Sequence, residues 1–353
     1  MSRTILVMAG GTGGHIFPAL AVADQLRDKG WHIVWLGAKT GMESKLVPQY
    51  GFEIEWIRFS GLRGKGLLRI LLLPLNLLIA LWQSARAIFR VRPDVVLGMG
   101  GYISFPGGII AALLARPLVL HEQNSVAGLA NRMLSRFADR VLVAFPDTLK
   151  KAEWTGNPVR PEIAELPAPE QRFRNRTGNL KVLVVGGSLG AQVLNQMVPR
   201  ALALIPEADR PEVTHQAGEK HLATLEGEYR DAGVSATALA FIGDMSRAYA
   251  TADVVICRAG ALTVSELAAA GIASVLVPLP LAVDDHQTLN ARFLSDRSAA
   301  VLLPQNDLTP RKLAELLLGF TREKLLDMAN RARALGKPDA AQIVAEHCMA
   351  SAA

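Results

Sequence analysis

The chain has 353 residues, half of them apolar, a fifth charged, and a formal charge of +6. That length suits two domains each with its own core, and the apolar share excludes a disordered chain. Two cysteines are too few for a disulfide framework or a cysteine metal site, and 6% aromatics without interleaved basic runs make nucleic acid the weakest partner the charge allows.

Met1-Ser2-Arg3 leads directly into an apolar run at 5–9, so no signal peptide is expected and the run reads as a buried parallel strand. It empties into Gly10-Gly11-Thr12-Gly13-Gly14-His15, ahead of a helix expected over 18–27. A glycine turn before a helix lets backbone N–H groups approach an anion, and the histidine at its lip can move a proton near neutral pH. A dinucleotide fingerprint does not fit, because Ile16 stands where the third glycine belongs and the next acid, Asp24, lies inside the helix. A phosphate loop ending in Gly-Lys-Ser/Thr is also missing from the sequence.

Further strands are expected at 33–36, 95–99, 118–121 and 140–144, with the most apolar stretch of the chain at 67–82 between them. Arg69, Pro74 and Asn76 interrupt that stretch, which is short for a membrane span. Its apolar circumference, edged by Arg58, Arg63, Lys65, Arg86, Arg90 and Arg92 and carrying Trp82, suits the boundary of an anionic bilayer.

A second glycine turn follows at Gly98-Met99-Gly100-Gly101-Tyr102, and four polar residues, His121-Glu122-Gln123-Asn124, end the next strand. Gly156-Asn157-Pro158-Val159-Arg160 opens a proline-rich break that reaches residue 179. Beyond it the opening theme recurs, with strands at 181–185, 212–216, 239–242, 254–257 and 274–278 and a third glycine turn at Gly186-Gly187-Ser188-Leu189-Gly190. The alternation of strands and helices predicts doubly wound α/β domains with parallel sheets, whose ligands lie beyond the carboxyl ends of the strands. The domains are expected over 1–160 and 161–336, with a last helix near 337–353 packing back on the first.

Cys257 is expected to be a small buried residue rather than a nucleophile. After it, Gly260-Ala261-Leu262-Thr263-Val264-Ser265-Glu266 opens a helix, where Glu266 either offsets the helix dipole or accepts from the two hydroxyls of a ribose. Asp284-Asp285-His286-Gln287 follows a proline-rich loop; with no Asp-x-Asp spacing in the chain, it reads as polyol-binding rather than metal-binding.

These motifs, in this order over the whole chain, resemble the MurG family, the bacterial N-acetylglucosaminyltransferases that complete the lipid-linked disaccharide of peptidoglycan. The resemblance implies a GT-B fold, two Rossmann-like domains facing across a cleft. It implies UDP-N-acetylglucosamine as donor, undecaprenyl-diphospho-muramoyl-pentapeptide as acceptor, and a β-1,4 linkage formed with inversion. No cofactor or metal is expected, and the protein is expected at the cytoplasmic face of the plasma membrane. Carried over by position, Thr12, Gly13, Gly14 and Asn124 resemble donor contacts, and Arg160 and Ser188 diphosphate contacts. Ile242 matches a main-chain contact to uracil, Ala261, Leu262, Thr263, Val264, Ser265 and Glu266 the segment under the nucleotide, and Gln287 a sugar contact. Gly100, Gly101, Tyr102 and Ser104 resemble part of the acceptor-diphosphate site, and His15 is the candidate base.

Two rival readings remain at this level. Gly186-Gly187-Ser188-Leu189-Gly190 satisfies the Gly-x-Ser-x-Gly elbow of α/β-hydrolases, with Asp253 and His286 as imaginable partners of a Ser188 nucleophile. A non-catalytic sugar-nucleotide-binding membrane protein is the other.

Overall fold

Five-residue runs such as Thr4-Ile5-Leu6-Val7-Met8 have no polar face, so they are stable only with packing on both sides of a sheet. The computed structural model, which describes residues 2–59, 72–187, 190–280 and 285–352, arranges them in that way. The first sheet holds β1 (Thr4–Met8), β2 (His32–Gly37), β3 (Glu53–Trp56), β4 (Val95–Gly98), β5 (Leu118–Glu122), β6 (Arg140–Val143) and β7 (Glu153–Trp154). Their order is β3-β2-β1-β4-β5-β6-β7, and all pairings are parallel. The second holds β8 (Lys181–Val185), β9 (Glu212–Gln216), β10 (Thr237–Leu239), β11 (Val254–Cys257), β12 (Ser274–Leu276) and β13 (Val301–Leu302). Its order is β10-β9-β8-β11-β12-β13, again parallel throughout.

The helices of the first half are α1 (Gly13–Asp28), α2 (Glu43–Leu46), α3 (Leu73–Val91), α4 (Ser104–Leu113) and α5 (Leu129–Leu134). Those of the second are α6 (Pro161–Ala164), α7 (Pro169–Phe173), α8 (Gln192–Ala203), α9 (Leu222–Asp231), α10 (Met245–Thr251), α11 (Ala261–Ala270), α12 (His286–Ser295), α13 (Pro310–Leu318) and α14 (Arg322–Leu335). The last, α15 (Ala340–Ser351), belongs with the first sheet: the chain divides into one unit of Met1–Arg160 with Pro338–Ala353 and another of Pro161–Lys337.

Alternation along β1 sorts the first core into two layers. Ile5 and Val7 pack with Ile16, Leu20 and Leu26 of α1 and with Val344 and Cys348 of α15. Leu6 and Met8 face the other way, toward Ala87 and Ile88 of α3, Ala111 of α4 and Leu134 of α5. In the second unit Val182 and Val184 pack on Leu194 and Val198 of α8.

Several boundaries differ from the sequence reading. The helix expected from residue 18 starts at Gly13, because the sheet beneath it, rather than the poor helix propensity of glycine, decides where it begins. The strand expected at 239–242 is β10, Thr237–Leu239, an edge strand whose continuation carries the exposed Phe241. The short edge strands β3, β7 and β13 were not expected; β3 and β7 carry Glu53, Glu55 and Glu153 and so lack a continuous apolar run.

Residues 67–71 of the apolar stretch, and the flanking Arg63 and Lys65, lie outside the described residues; Leu72 is the N-cap of α3, whose helix begins at Leu73 and continues to Val91. One face of α3 packs through Ala80, Ser84, Ala87 and Ile88, while Leu75, Leu78, Trp82 and Phe89 are each more than half exposed. Arg86 lies 5.9 Å from the Trp82 ring. Among the described residues no helix is long and apolar enough to cross a membrane.

Candidate functional site

Strand order reverses between β1 and β4 and again between β8 and β11, the two places where an open α/β sheet leaves a crevice at its carboxyl edge. The glycine turns lie at these places. In the first unit the turn after β1 and the turn after β4 are pressed together: Met99 N–H donates to the Met8 carbonyl at 2.9 Å. Gly101, at φ +79°, has the Gly10 backbone where a Cβ would stand, so no other residue fits there.

Thr12 is the N-cap of α1 by backbone geometry, but its hydroxyl caps nothing, and no acid stands in the first turn. Gly13 and Gly14 therefore begin a sixteen-residue helix at its positive end with no acid of the helix's own first turn beside it. His15 is the third helical residue, and its ring lies 3.2 Å from where a Gly100 side chain would begin. Its Nδ1 is 2.8 Å from Gln123 Oε1 at the end of β5. Gln123 in turn bonds His121 Nδ1 at 3.1 Å, and His121 Nε2 bonds the Gly156 carbonyl at 2.8 Å. His121 is fully buried, and burial pulls its pKa down to about 4, so it is neutral.

Two buried carboxylates lie beneath these groups. Glu43 accepts from Gly11 N–H at 3.1 Å and Ala38 N–H at 3.0 Å. Glu122 accepts from Asn124 N–H, Gly128 N–H and the Asn131 amide at 2.9–3.0 Å. Asn124 is thereby fixed on its own strand end. Tyr102 packs against Phe59 and near Gly11, and burial together with the Glu43 charge raises its hydroxyl pKa. Ser104, at the start of α4, is fully buried, and its hydroxyl donates to the Met8 and Gly100 carbonyls at 2.9 and 2.7 Å, which ties the second glycine turn to the end of β1.

In the second unit Gly260 is the N-cap of α11, with extended geometry and no capping side chain. Ala261, Leu262, Thr263, Val264, Ser265 and Glu266 are its first six residues, with Ala261 and Val264 buried. Glu266 therefore stands in the second turn, which removes the dipole-offset reading. Its carboxylate accepts from the buried Tyr249 hydroxyl at 3.2 Å. The other end of α11 is held by guanidinium groups: Arg172 donates to the Ala270 and Gly271 carbonyls and Arg333 to Ala269. Cys257, at the end of β11, is buried, and its thiol is pushed up to about 12 by burial and the Glu266 charge.

Ile242 follows β10 with a buried side chain, and Gln287, at the start of α12, accepts from Leu279 N–H at 3.0 Å, leaving its amide hydrogens for another acceptor. Arg258 bonds the Val277 and Pro278 carbonyls and Gln305, which steadies the same loop. Arg160 closes the first unit, whereas Ser188 and Asp284 lie outside the described residues. Sequence reasoning missed Glu43, Tyr249 and Arg258, each of which acts on a residue distant in the chain. It also gave Asn157 no role, yet both amide atoms of this buried residue lack a partner. Groups of that kind are satisfied by ordered water or a ligand.

The hydrolase reading fails on geometry. Asp253 precedes β11, where it pairs with Arg176, Arg322 and the Lys181 N–H, at the amino ends of the strands. β8 ends at Val185, so Gly186 and Gly187, which precede Ser188 in the chain, lie beyond the opposite ends, a strand length of roughly 15 Å away.

The sequence patterns of the glycosyltransferase family 28 N-terminal and C-terminal domains match residues 5–143 and 181–344. The chain belongs to glycosyltransferase family 28. A UDP-N-acetylglucosamine–N-acetylmuramyl-(pentapeptide) pyrophosphoryl-undecaprenol N-acetylglucosamine transferase of Dechloromonas aromatica is 63% identical over 348 residues, 99% of both chains. A relative of the same name from Nitrosospira multiformis is 63% identical over 352 residues. The crystal structure of Acinetobacter baumannii MurG superposes with a TM-score of 0.88 at 42% identity, covering 99% of each chain. The calicheamicin glycosyltransferase CalG4, at 16% identity and a TM-score of 0.65, shares the fold. The family 28 chain thus has the two doubly wound parallel sheets of the GT-B type, and it is a glycosyltransferase.

Proposed function

We propose that this chain transfers N-acetylglucosamine from UDP-N-acetylglucosamine to the 4-hydroxyl of undecaprenyl-diphospho-N-acetylmuramoyl-pentapeptide, with inversion. Its full-length likeness to transferases of that name supports the substrates. The observation that carries the chemistry is His15, placed at the positive end of α1 beside Gly100 and wired through Gln123 to a buried neutral histidine. The acceptor hydroxyl oxygen bonds to the donor C1 opposite UDP while His15 removes its proton. The C1–O bond breaks and its electron pair leaves on the UDP β-phosphate.

Arg160, Ser188 and the open N-terminus of α11 receive that charge without a metal. Glu266, steadied by Tyr249, accepts from the ribose hydroxyls, Ile242 meets the uracil through its main chain, and Gln287 meets the sugar. Thr12, Gly13, Gly14 and Asn124 complete the donor contacts; Gly100, Gly101, Tyr102 and Ser104 form part of the acceptor-diphosphate site. Leu75, Leu78, Trp82 and Phe89 of α3, with Arg86 among them, rest on the anionic cytoplasmic face of the plasma membrane.

Radiolabelled UDP-N-acetylglucosamine incubated with the lipid-linked muramoyl-pentapeptide tests the reading. Label passes to the lipid and UDP is released, including in the presence of a chelator. No transfer overturns the activity, UDP retention marks a binding protein, and complete metal-reversible loss overturns the metal-free mechanism.

A further inference from the structure

We infer that the His121–Gln123 pair sets the tautomer of His15, holding its proton on Nδ1 and leaving Nε2 bare toward the acceptor. This deepens the proposed function and rests on His15 acting as its base.

Each link in the chain of bonds permits one direction only. The Gly156 carbonyl is an acceptor and nothing else, so His121 Nε2, 2.8 Å away, carries a hydrogen. A neutral imidazole has one N–H, and His121 is neutral in its fully buried site, so its Nδ1 is bare. Gln123, 3.1 Å from that nitrogen, must then turn its NH2 toward it; the same NH2 donates to the His121 carbonyl at 3.1 Å. Gln123 Oε1 is left pointing at His15 Nδ1 over 2.8 Å, and a carboxamide oxygen can only accept. His15 therefore holds its hydrogen on Nδ1. Its Nε2, which has no partner among the described residues, keeps the lone pair a base needs.

The fixed point is a backbone carbonyl, not a charge, so the setting does not titrate with a carboxylate. Gly156 adopts φ +82°, and its carbonyl also accepts from the Thr155 hydroxyl at 3.2 Å. The other titratable groups around the network are the buried Glu122, held by Asn124, Gly128 and Asn131, and Glu43 under Gly11. Neither bonds a ring nitrogen of His15 or His121. Gln123 is thus a positioning residue whose work is done through His15.

The test combines selectively 15N-labelled histidine NMR of the full chain with transfer kinetics. At a pH where His15 is neutral, its Nδ1 should give the protonated-type shift and its Nε2 the bare-type shift. Gln123→Met, of similar length but with no donor and only a weak acceptor, should mix or reverse that pattern. It should lower kcat by roughly 3- to 100-fold, a coupling of the size measured between contacting residues, with little change in the donor KM. In a His15→Ala background the same substitution should change kcat hardly at all. An Nε2–H form of His15 in the unsubstituted protein overturns the inference, as does a full Gln123→Met effect persisting without His15. Should Gln123→Met not fold, Gln123→Glu keeps an acceptor at His15 and takes the donor from His121; it must preserve the Nδ1–H form of His15. Near-normal turnover of His15→Ala alone sinks the base reading instead, and absence of transfer sinks the activity, so the failures are distinguishable.

Discussion

The two switch points share a strand order and a glycine turn, yet their supports are opposite in kind. Under the first turn, the carboxylate of Glu43 accepts a hydrogen bond from Gly11 N–H, consuming a donor and placing negative charge beneath the glycines. Under the turn after β8, the Gln216 amide donates to the Gly187 carbonyl at 3.2 Å, which consumes an acceptor and adds no charge. The first arrangement favours positioning a hydroxyl and a proton acceptor; the second leaves backbone donors and the N-terminus of α11 for an anion. A repeated fold therefore sets its glycine turns on two different supports through a few side chains beneath the loops.

The largest effect should come from the proton-handling side. His15→Ala should lower turnover by ~10²–10⁴-fold, the usual contribution of a positioned base, while UDP-N-acetylglucosamine binding measured by calorimetry stays close to normal. A matching loss of donor affinity would mean that the first turn is an anion site like the second. On the anion side, Glu266→Gln should raise the donor KM by roughly 10- to 100-fold, as expected for losing charged hydrogen bonds to a ribose, with kcat less affected. An effect on kcat alone would place Glu266 in the chemistry and erase the contrast.

The sequence made the shared part of this contrast legible and hid the different part. Continuous apolar runs ending in glycine revealed both sheets and the motif positions, because parallel strands and close turns impose their own composition. The supports were hidden because they are long-range: Gln123 meets His15 across 108 positions, and Glu43 meets Gly11 across 32. A lone Glu on a four-residue helix has no local signature. The hydroxyl of Ser104 was hidden in the same way, since its bond to the Met8 carbonyl spans 96 positions.

A smaller effect tests the support itself. Glu43→Gln replaces an acceptor of two backbone N–H groups with an amide that can accept through one atom only. It should destabilise the first unit by ~1–3 kcal/mol, the cost of a buried donor left unmade. Amide exchange should accelerate in β1 and β2 and not in β8 and β11. Uniform acceleration in both sheets would show that Glu43 is not local to the first turn.

The smallest effect concerns acid. Each unit buries one neutral histidine, His121 in the first and His215 in the second, where the ring bonds the Tyr229 hydroxyl at 2.9 Å. Burial lowers their pKa values to about 4 and about 3. A histidine depressed in the folded state stays neutral there while the unfolded chain takes up a proton below about pH 6.5, so stability is present above that value and lost as pH falls. Between pH 7 and 5.5 each should cost about 1 kcal/mol, a figure that depends on the unfolded value alone because both folded values lie well below 5.5. Replacing His215 with Phe together with Tyr229→Phe, which avoids an orphaned hydroxyl, should remove that loss from the exchange rates of β8 and β9 while β1 and β4 keep theirs. If the second unit stays equally acid-sensitive, burial of His215 is not the source of its lability.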